Sequence, residues 1–361
     1  MVCTGITSDS FALFGFGTGS MPSWRRFRLH LLASILEGRK WTTGPPTESA
    51  RRWRWWALRS IPLLACLASI DVDLSRGQSD LVMLAGISLA LYLARRNREI
   101  AAGTFLALPA AIKVFPIVLL AYPIWRRSAR MALGYILGLL LFFAVLPVAT
   151  FGLDRTIEAY RTWTTVLVQP ELGQRTEVTR AQELSMTATD NQSLLAVIHN
   201  WGYYRLPRDQ RPPEAATSAR LVTYLISVLT IFGIGMVSVK RRDSLPRRDL
   251  VVVGLLIGWS FLLAPVVRNS YFLLLLPLLT VLVDYALPNL IYNFRDLRAQ
   301  RAVVFFMITD MMVRVPPVGG WLRDLGIPLM SMIWLIGVGV LVLFGGPARE
   351  LSGYSQMQVE Q

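Results

Sequence analysis

The sequence predicts an all-α fold: a polytopic bundle of transmembrane helices with one re-entrant, broken helix and one large external loop. Three observations carry this expectation. The 361-residue chain is 53% hydrophobic, more than a soluble domain of this length needs to close a core. Its apolar residues form runs that approach or reach the roughly 20 residues needed to cross about 30 Å of hydrocarbon. Its arginines form short clusters between those runs, the pattern that keeps basic loops in the cytoplasm. The formal charge of +14 is therefore read as topology and not as a nucleic-acid surface. Cys3 and Cys66 stand far apart, and His30 and His199 are the two histidines, so neither a disulfide framework nor a His-rich metal centre is expected. No cofactor motif is identified, and a divalent metal is left open.

Three regions follow. Residues 1–59 read as a poorly structured basic and aromatic segment, 60–290 as the transmembrane core, and 291–361 as C-terminal membrane segments and tail. Phe11–Phe16 is a short apolar patch with no basic residue before it, so no signal peptide is read there. Arg51–Trp56 alternates arginine and tryptophan, which suits a headgroup anchor better than a nucleic-acid stacking patch. Ser60–Ile70 is apolar but short, a whole span only if that tryptophan-rich flank enters the bilayer. A polar break at Asp71, Asp73 and Arg76–Asp80 precedes the apolar run Leu81–Ala94, which ends at the basic cluster Arg95–Arg98.

Ala101–Trp125 is flanked on both sides by basic clusters, the second being Arg126–Arg130. A straight crossing would put one cluster outside. Two half-helices broken near Lys113 and Pro116 would return to one side, and proline at the break removes a backbone donor. Broken membrane helices are tolerated where they line a cavity, so the re-entrant reading is preferred. Met131–Phe151 is a full span. Residues 152–218 hold eight acidic and seven basic residues and form the large external loop, within which Leu153–Leu167 and Ser193–Asn200 are expected as amphipathic helices on the membrane surface. Leu221–Val239, Leu250–Val267, Tyr271–Leu287 and Ile327–Phe344 are further spans. Val303–Val315, interrupted by Asp310, is too short for one. The total is about seven or eight membrane segments.

A lysine inside an apolar run is costly without an anion or a water path. Lys113 therefore either binds a phosphate on a lipid-linked substrate, or snorkels, or pairs with a carboxylate such as Asp284 or Asp310. Arg268, in a tight turn between apolar segments, either holds a phosphate bidentately or is an interfacial arginine. Asp71, Asp73 and Asp80 lie by Gln78; one of them is placed to take a proton from a hydroxyl, or they serve turns and caps. Asp190–Leu195 reads as a helix cap, with Asn191 and Gln192 alternatively lining a sugar pocket. No Gly-rich nucleotide loop or nucleophile elbow is present, which favours a donor held in the membrane over a nucleotide sugar.

Gly77-Gln78-Ser79-Asp80, Ala110-Ala111-Ile112-Lys113-Val114-Phe115-Pro116, the span ending Phe151-Gly152, Asn191-Gln192-Ser193-Leu194, and Ala264-Pro265-Val266-Val267-Arg268-Asn269-Ser270-Tyr271 follow one another in an order that resembles glycosyltransferase family 87. This is a mannosyltransferase-like branch of the class C polytopic membrane glycosyltransferases, and the resemblance covers roughly 60–290. It implies transfer of a mannose-like hexose from a polyprenyl-phosphate sugar to a lipid or glycan acceptor, with inversion through an oxocarbenium-like transition state. It places the reaction on the external face of a bacterial cytoplasmic (inner) membrane. Lys113 matches the family's lysine in its Lys-x-x-Pro element and Gln78 its Gly-Gln element. Lys113 and Arg268 are thus implied donor-phosphate ligands, and Gln78, Asp80, Asn191, Gln192 and Asn269 implied pocket residues. The family's catalytic aspartate lies in a first external loop after an N-terminal span. Residues 1–59 match neither, so Asp71 and Asp73 stand as weak candidates and an N-terminally truncated, inactive homologue is one alternative. A transporter or lipid-carrier flippase, built on the same broken helix and central cation, is another.

Overall fold

A computed structural model describes residues 48–165, 191–207, 210–212, 215–239, 246–292 and 297–345. The calls on residues 1–47, including Phe11–Phe16, and on Asp190 lie outside them. The described chain is a helical bundle with no strand among the described residues. Its helices are α1 (Glu48–Ala65), α2 (Leu67–Ser75), α3 (Asp80–Arg95), α4 (Glu99–Ile112), α5 (Ala121–Trp125), α6 (Ala129–Phe151), α7 (Leu153–Trp163) and α8 (Leu194–Gly202), followed by α9 (Thr217–Val239), α10 (Pro246–Leu263), α11 (Leu276–Tyr292), α12 (Arg298–Met312), α13 (Val318–Asp324) and α14 (Ile327–Gly345). Tight 3₁₀ turns at Phe115–Leu120 and Asn269–Leu275 lead into α5 and α11.

Among the described residues, three helical stretches are long and apolar enough to cross a membrane: Ala129–Phe151, Asn269–Leu287 and Ile327–Phe344; α2 and α3, bent by 120°, make a fourth if taken together. Burial separates the three. The span leading through α11 is 89% buried and forms the core, whereas α6 is only 22% buried and presents leucine and isoleucine side chains outward.

Two of the expected boundaries fall inside helices. The division at 59/60 falls inside α1, which carries Arg51–Trp56 as helix and buries Ala57, Leu58 and Arg59. Ser60–Ile70 is not one run either, since α1 ends at Ala65 and α2 begins at Leu67. The division at 290/291 falls inside α11. Arg54 extends from α1 to Asp284 of α11, 2.5 Å away, and Arg59 lies 3.7 Å above the Trp55 ring. These arginines thus pack into the protein as well as flanking it.

The stretch Ala101–Trp125 returns to the side it leaves. α4 and α6 run parallel in close contact: Gly134 lies against Ile100, and a methyl group on Gly138 would sit 2.6 Å from the Thr104 carbonyl oxygen. Thr104 Oγ1 donates to the Gly134 carbonyl at 3.2 Å. Glycine lets the two backbones approach, as small residues do in membrane helix pairs. With both helices starting at the same level, the connection through Lys113 and α5 must run back. Arg126 accordingly reaches Asp249 at the start of α10 (3.1 Å), and the charges of Glu99 and Arg95 act on this same pair. Both basic clusters therefore sit at one end of the bundle.

Proline shapes α6 as well. Pro147 leaves the Phe143 carbonyl without its helical donor; the helix widens into a π turn over Leu141–Val145, and the Tyr160 hydroxyl of α7 donates to that carbonyl. α7 exposes Leu153, Ile157, Tyr160 and Trp163 at helical spacing, the amphipathic form expected of it, and its described part ends short of Leu167. The other expected surface helix departs from expectation. α8 buries Leu194, Ala196, Val197, His199 and Asn200 in the protein, with Val197 against Gly326 and Trp201 Nε1 donating to the Leu325 carbonyl at 3.0 Å.

Candidate functional site

The site forms at the bundle end opposite the two basic clusters, where three chain breaks meet. α2 stops at Ser75 and Gly77 turns the chain with φ +60°, a left-handed conformation that glycine adopts without strain. α4 stops at Ile112, and Lys113 takes an extended conformation before the Phe115–Leu120 turn. α10 stops at Leu263, and an irregular stretch carries Arg268 into the Asn269–Leu275 turn.

Asp80 and Lys113 pair across this end. They belong together because α3 and α4 form an antiparallel hairpin, with Asp80 at its entry and Lys113 just beyond its exit. Asp80 is fully buried, and its Oδ2 has no hydrogen-bond partner among the described residues. Of the alternatives for Lys113, pairing with an internal carboxylate is thus what the structure shows, with Asp80 in place of Asp284 or Asp310. Asp284 lies further along α11, held by Arg54. Asp310 of α12 caps the start of α2, accepting from Ala68 N (2.9 Å), Ser69 N (3.2 Å) and Ser69 Oγ (2.5 Å).

Lys113 Nζ also lies 3.7 Å above the Tyr271 ring, a cation–π contact. Phe115 stacks on that ring at 5.4 Å and meets Phe261 at 5.5 Å, so the lysine and the aromatic two residues later grip one tyrosine. Arg268 is half-buried, and its charge acts on both Lys113 and Tyr271.

The remaining carboxylates differ. Asp73, buried to 1% exposure, accepts from Asp80 N and Leu81 N, both at 3.1 Å; it caps α3, which suits the turn-and-cap reading. Asp71 is exposed and pairs with Arg314 at 2.7 Å. Gln78 accepts from the Ser270 hydroxyl at 2.8 Å and donates its backbone N–H to the Asp73 carbonyl at 2.8 Å, tying the Gly77 turn to the Asn269–Leu275 turn. Asn191 Oδ1 accepts from Ser193 N (3.1 Å) and Val267 N (3.2 Å), while Gln192 N donates to the Val267 carbonyl at 2.7 Å and its Nε2 to the Arg323 carbonyl at 3.0 Å. Asn191 and Gln192 thus clip the long segment onto the turn that presents Arg268, and Ser193 is the cap of α8, accepting from Ala196 N at 3.2 Å. Asn269 accepts the Ser69 hydroxyl on its carbonyl at 2.9 Å.

The profile of glycosyltransferase family 87 matches residues 27–265, more than half of the chain. The chain belongs to glycosyltransferase family 87. No curated protein and no solved structure matches it. The family match begins well upstream of residue 60 and contains Asp71, Asp73, Gln78, Asp80, Lys113, Asn191 and Gln192. It stops just before Arg268, Asn269 and Tyr271. Tyr271 was not legible as a site residue, because its role arises from contacts between distant segments. Tyr271 had one available signal, its place at the end of the Ala264–Tyr271 motif.

Proposed function

We propose that this glycosyltransferase transfers a mannose-like hexose from a polyprenyl-phosphate sugar to a lipid or glycan acceptor on the external face of a bacterial inner membrane. The observation that carries the reading is the convergence of Lys113, Arg268 and Tyr271 on one bundle end, with the lysine held at a helix break inside apolar surroundings.

Charge explains why two cations suit this donor. A sugar phosphodiester carries one negative charge, and the departing polyprenyl phosphate gains a second as the anomeric C–O bond breaks. Lys113 and Arg268 interact more strongly with the second state, and such differential interaction lowers the barrier. The acceptor hydroxyl forms the new C–O bond and passes its proton to a carboxylate. Of the three carboxylates at this end, Asp80 stands in contact with Lys113 and keeps one oxygen without a hydrogen-bond partner. Asn191, Gln192 and Gln78 act by holding the turns that present Arg268 and Tyr271.

The test is transfer from a radiolabelled polyprenyl-phosphate mannose in membranes expressing the chain. Labelled product that disappears in Lys113→Gln supports the reading. Absence of product with the full chain, under conditions where an active polyprenyl-phosphate mannosyltransferase works, contradicts it.

A further inference from the structure

The bundle end that holds both basic clusters carries arginines of two kinds. Arg126 is engaged inside the protein. Its Nη1 donates to the Tyr122 hydroxyl and to Asp249, both at 3.1 Å, and the Arg96 guanidinium lies 5.1 Å from the Tyr92 ring. Arg98, Arg127 and Arg130 are different: all three are exposed and, among the described residues, they have no ion pair or ring contact. They come from separate turns but share one place. Arg98 precedes α4 and Arg130 stands in the first turn of α6. These two helices run parallel, with Ile100 against Gly134 and Met131 against Gly103, so their starts are neighbours. Arg127 lies in the turn that leads into α6.

Each of the three stands two or three residues from an exposed aliphatic side chain: Arg98 from Ile100 (48% exposed), Arg127 from Ile124 (65%) and Arg130 from Leu133 (50%). Leu133 begins the outward face of α6, the span that is only 22% buried. A row of guanidinium groups above an aliphatic rim matches the profile of a phospholipid, phosphate first and acyl chain below it. Guanidinium binds phosphate bidentately, and its aliphatic stem lies along apolar surface while the charge stays in the headgroup layer. A nucleic acid on the same arginines would leave the three aliphatics in water and find no stacking plane among them. We propose that Arg98, Arg127 and Arg130 form a binding surface for the phosphate headgroups of anionic phospholipids in the leaflet facing this end. The proposal stands on the fold and is independent of the sugar-transfer reading.

The experiment compares spin-labelled phosphatidylglycerol with spin-labelled phosphatidylcholine in phosphatidylcholine bilayers holding the full chain, and reads the ratio of their association constants by electron spin resonance. A basic group at the membrane surface is worth roughly fivefold in anionic-lipid affinity. The wild type should therefore prefer phosphatidylglycerol, and the triple variant Arg98→Gln, Arg127→Gln, Arg130→Gln should lower the ratio by about threefold or more. The triple change to lysine should keep most of it. Removing three exposed arginines elsewhere, Arg155→Gln, Arg161→Gln and Arg205→Gln, should lower the ratio less. If the glutamine triple does not fold, Arg127→Gln and Arg130→Gln are read singly in the same way, and each should lower the ratio. No preference in the wild type, an unchanged ratio in the glutamine variants, or an equal fall when Arg155, Arg161 and Arg205 are changed overturns the proposal. So does binding of a single-stranded oligonucleotide through these arginines in the absence of any lipid preference.

Discussion

Lys113, half-buried, and Asp80, fully buried, form an ion pair that closes the end of the α3–α4 hairpin. Removing one partner of such a pair leaves an uncompensated charge and costs about 3–5 kcal/mol. Lys113→Gln and Asp80→Asn should each lower thermal stability, and the double variant should regain much of the loss without regaining sugar transfer. Thermal unfolding of the three variants measures this, and additive losses in the double variant would contradict the pairing.

Tyr271 holds the lysine through its ring face. Tyr271→Phe should keep donor KM near the wild-type value, whereas Tyr271→Leu should raise it about 2–30-fold, the equivalent of a cation–π contact worth about 0.5–2 kcal/mol. Steady-state kinetics at varied donor concentration separate the two. A Tyr271→Phe variant as impaired as Tyr271→Leu would mean that the hydroxyl, and not the ring, matters.

The α4–α6 contact depends on missing side chains. Any Cβ at Gly134 meets the Ile100 backbone, and one at Gly103 meets the Met131 carbonyl. Gly134→Val should lower the unfolding temperature through overpacking of about 1–3 kcal/mol or more, while Gly202→Val, at a position with open space around it, should change it much less.

His199 provides a pH test. It is buried, with Nε2 facing the Pro212 carbonyl at 3.0 Å. Burial holds its pKa below the usual 6.5, and the Arg211 charge pushes the same way against the Pro212 carbonyl. In the unfolded chain the imidazole takes its proton near its ordinary pKa, while in the folded chain it does so only at lower pH. The stability contribution is therefore complete above about 6.5 and is lost as pH falls from there towards the folded value. Hydrogen exchange over Leu194–Gly202, corrected for intrinsic rates, should show weaker protection at pH 5 than at pH 7.5; equal protection would contradict this.

Much of the fold was legible because proline, glycine and charge act locally. The break at Lys113–Pro116, the α6 span and the shared side of the two basic clusters follow from short-range chemistry. The site was only half legible. A lysine in an apolar run announces that a partner is needed but not which one, and Asp80 becomes that partner only through hairpin geometry. Asp284 and Asp310 were plausible from sequence because each is also an acidic residue in an apolar run; the structure satisfies them with Arg54 and with the α2 N-terminus. The tryptophan-rich flank was read as an anchor, since nothing local shows that Arg54 would reach 230 residues along the chain.

Equilibrium binding of polyprenyl phosphate, without its sugar, to the purified chain in nanodiscs tests the role of Lys113 most directly. The expected result is at least tenfold weaker binding in Lys113→Gln than in the wild type, with Lys113→Arg in between. Equal affinity in wild type and Lys113→Gln would contradict the assignment of this lysine to the donor phosphate.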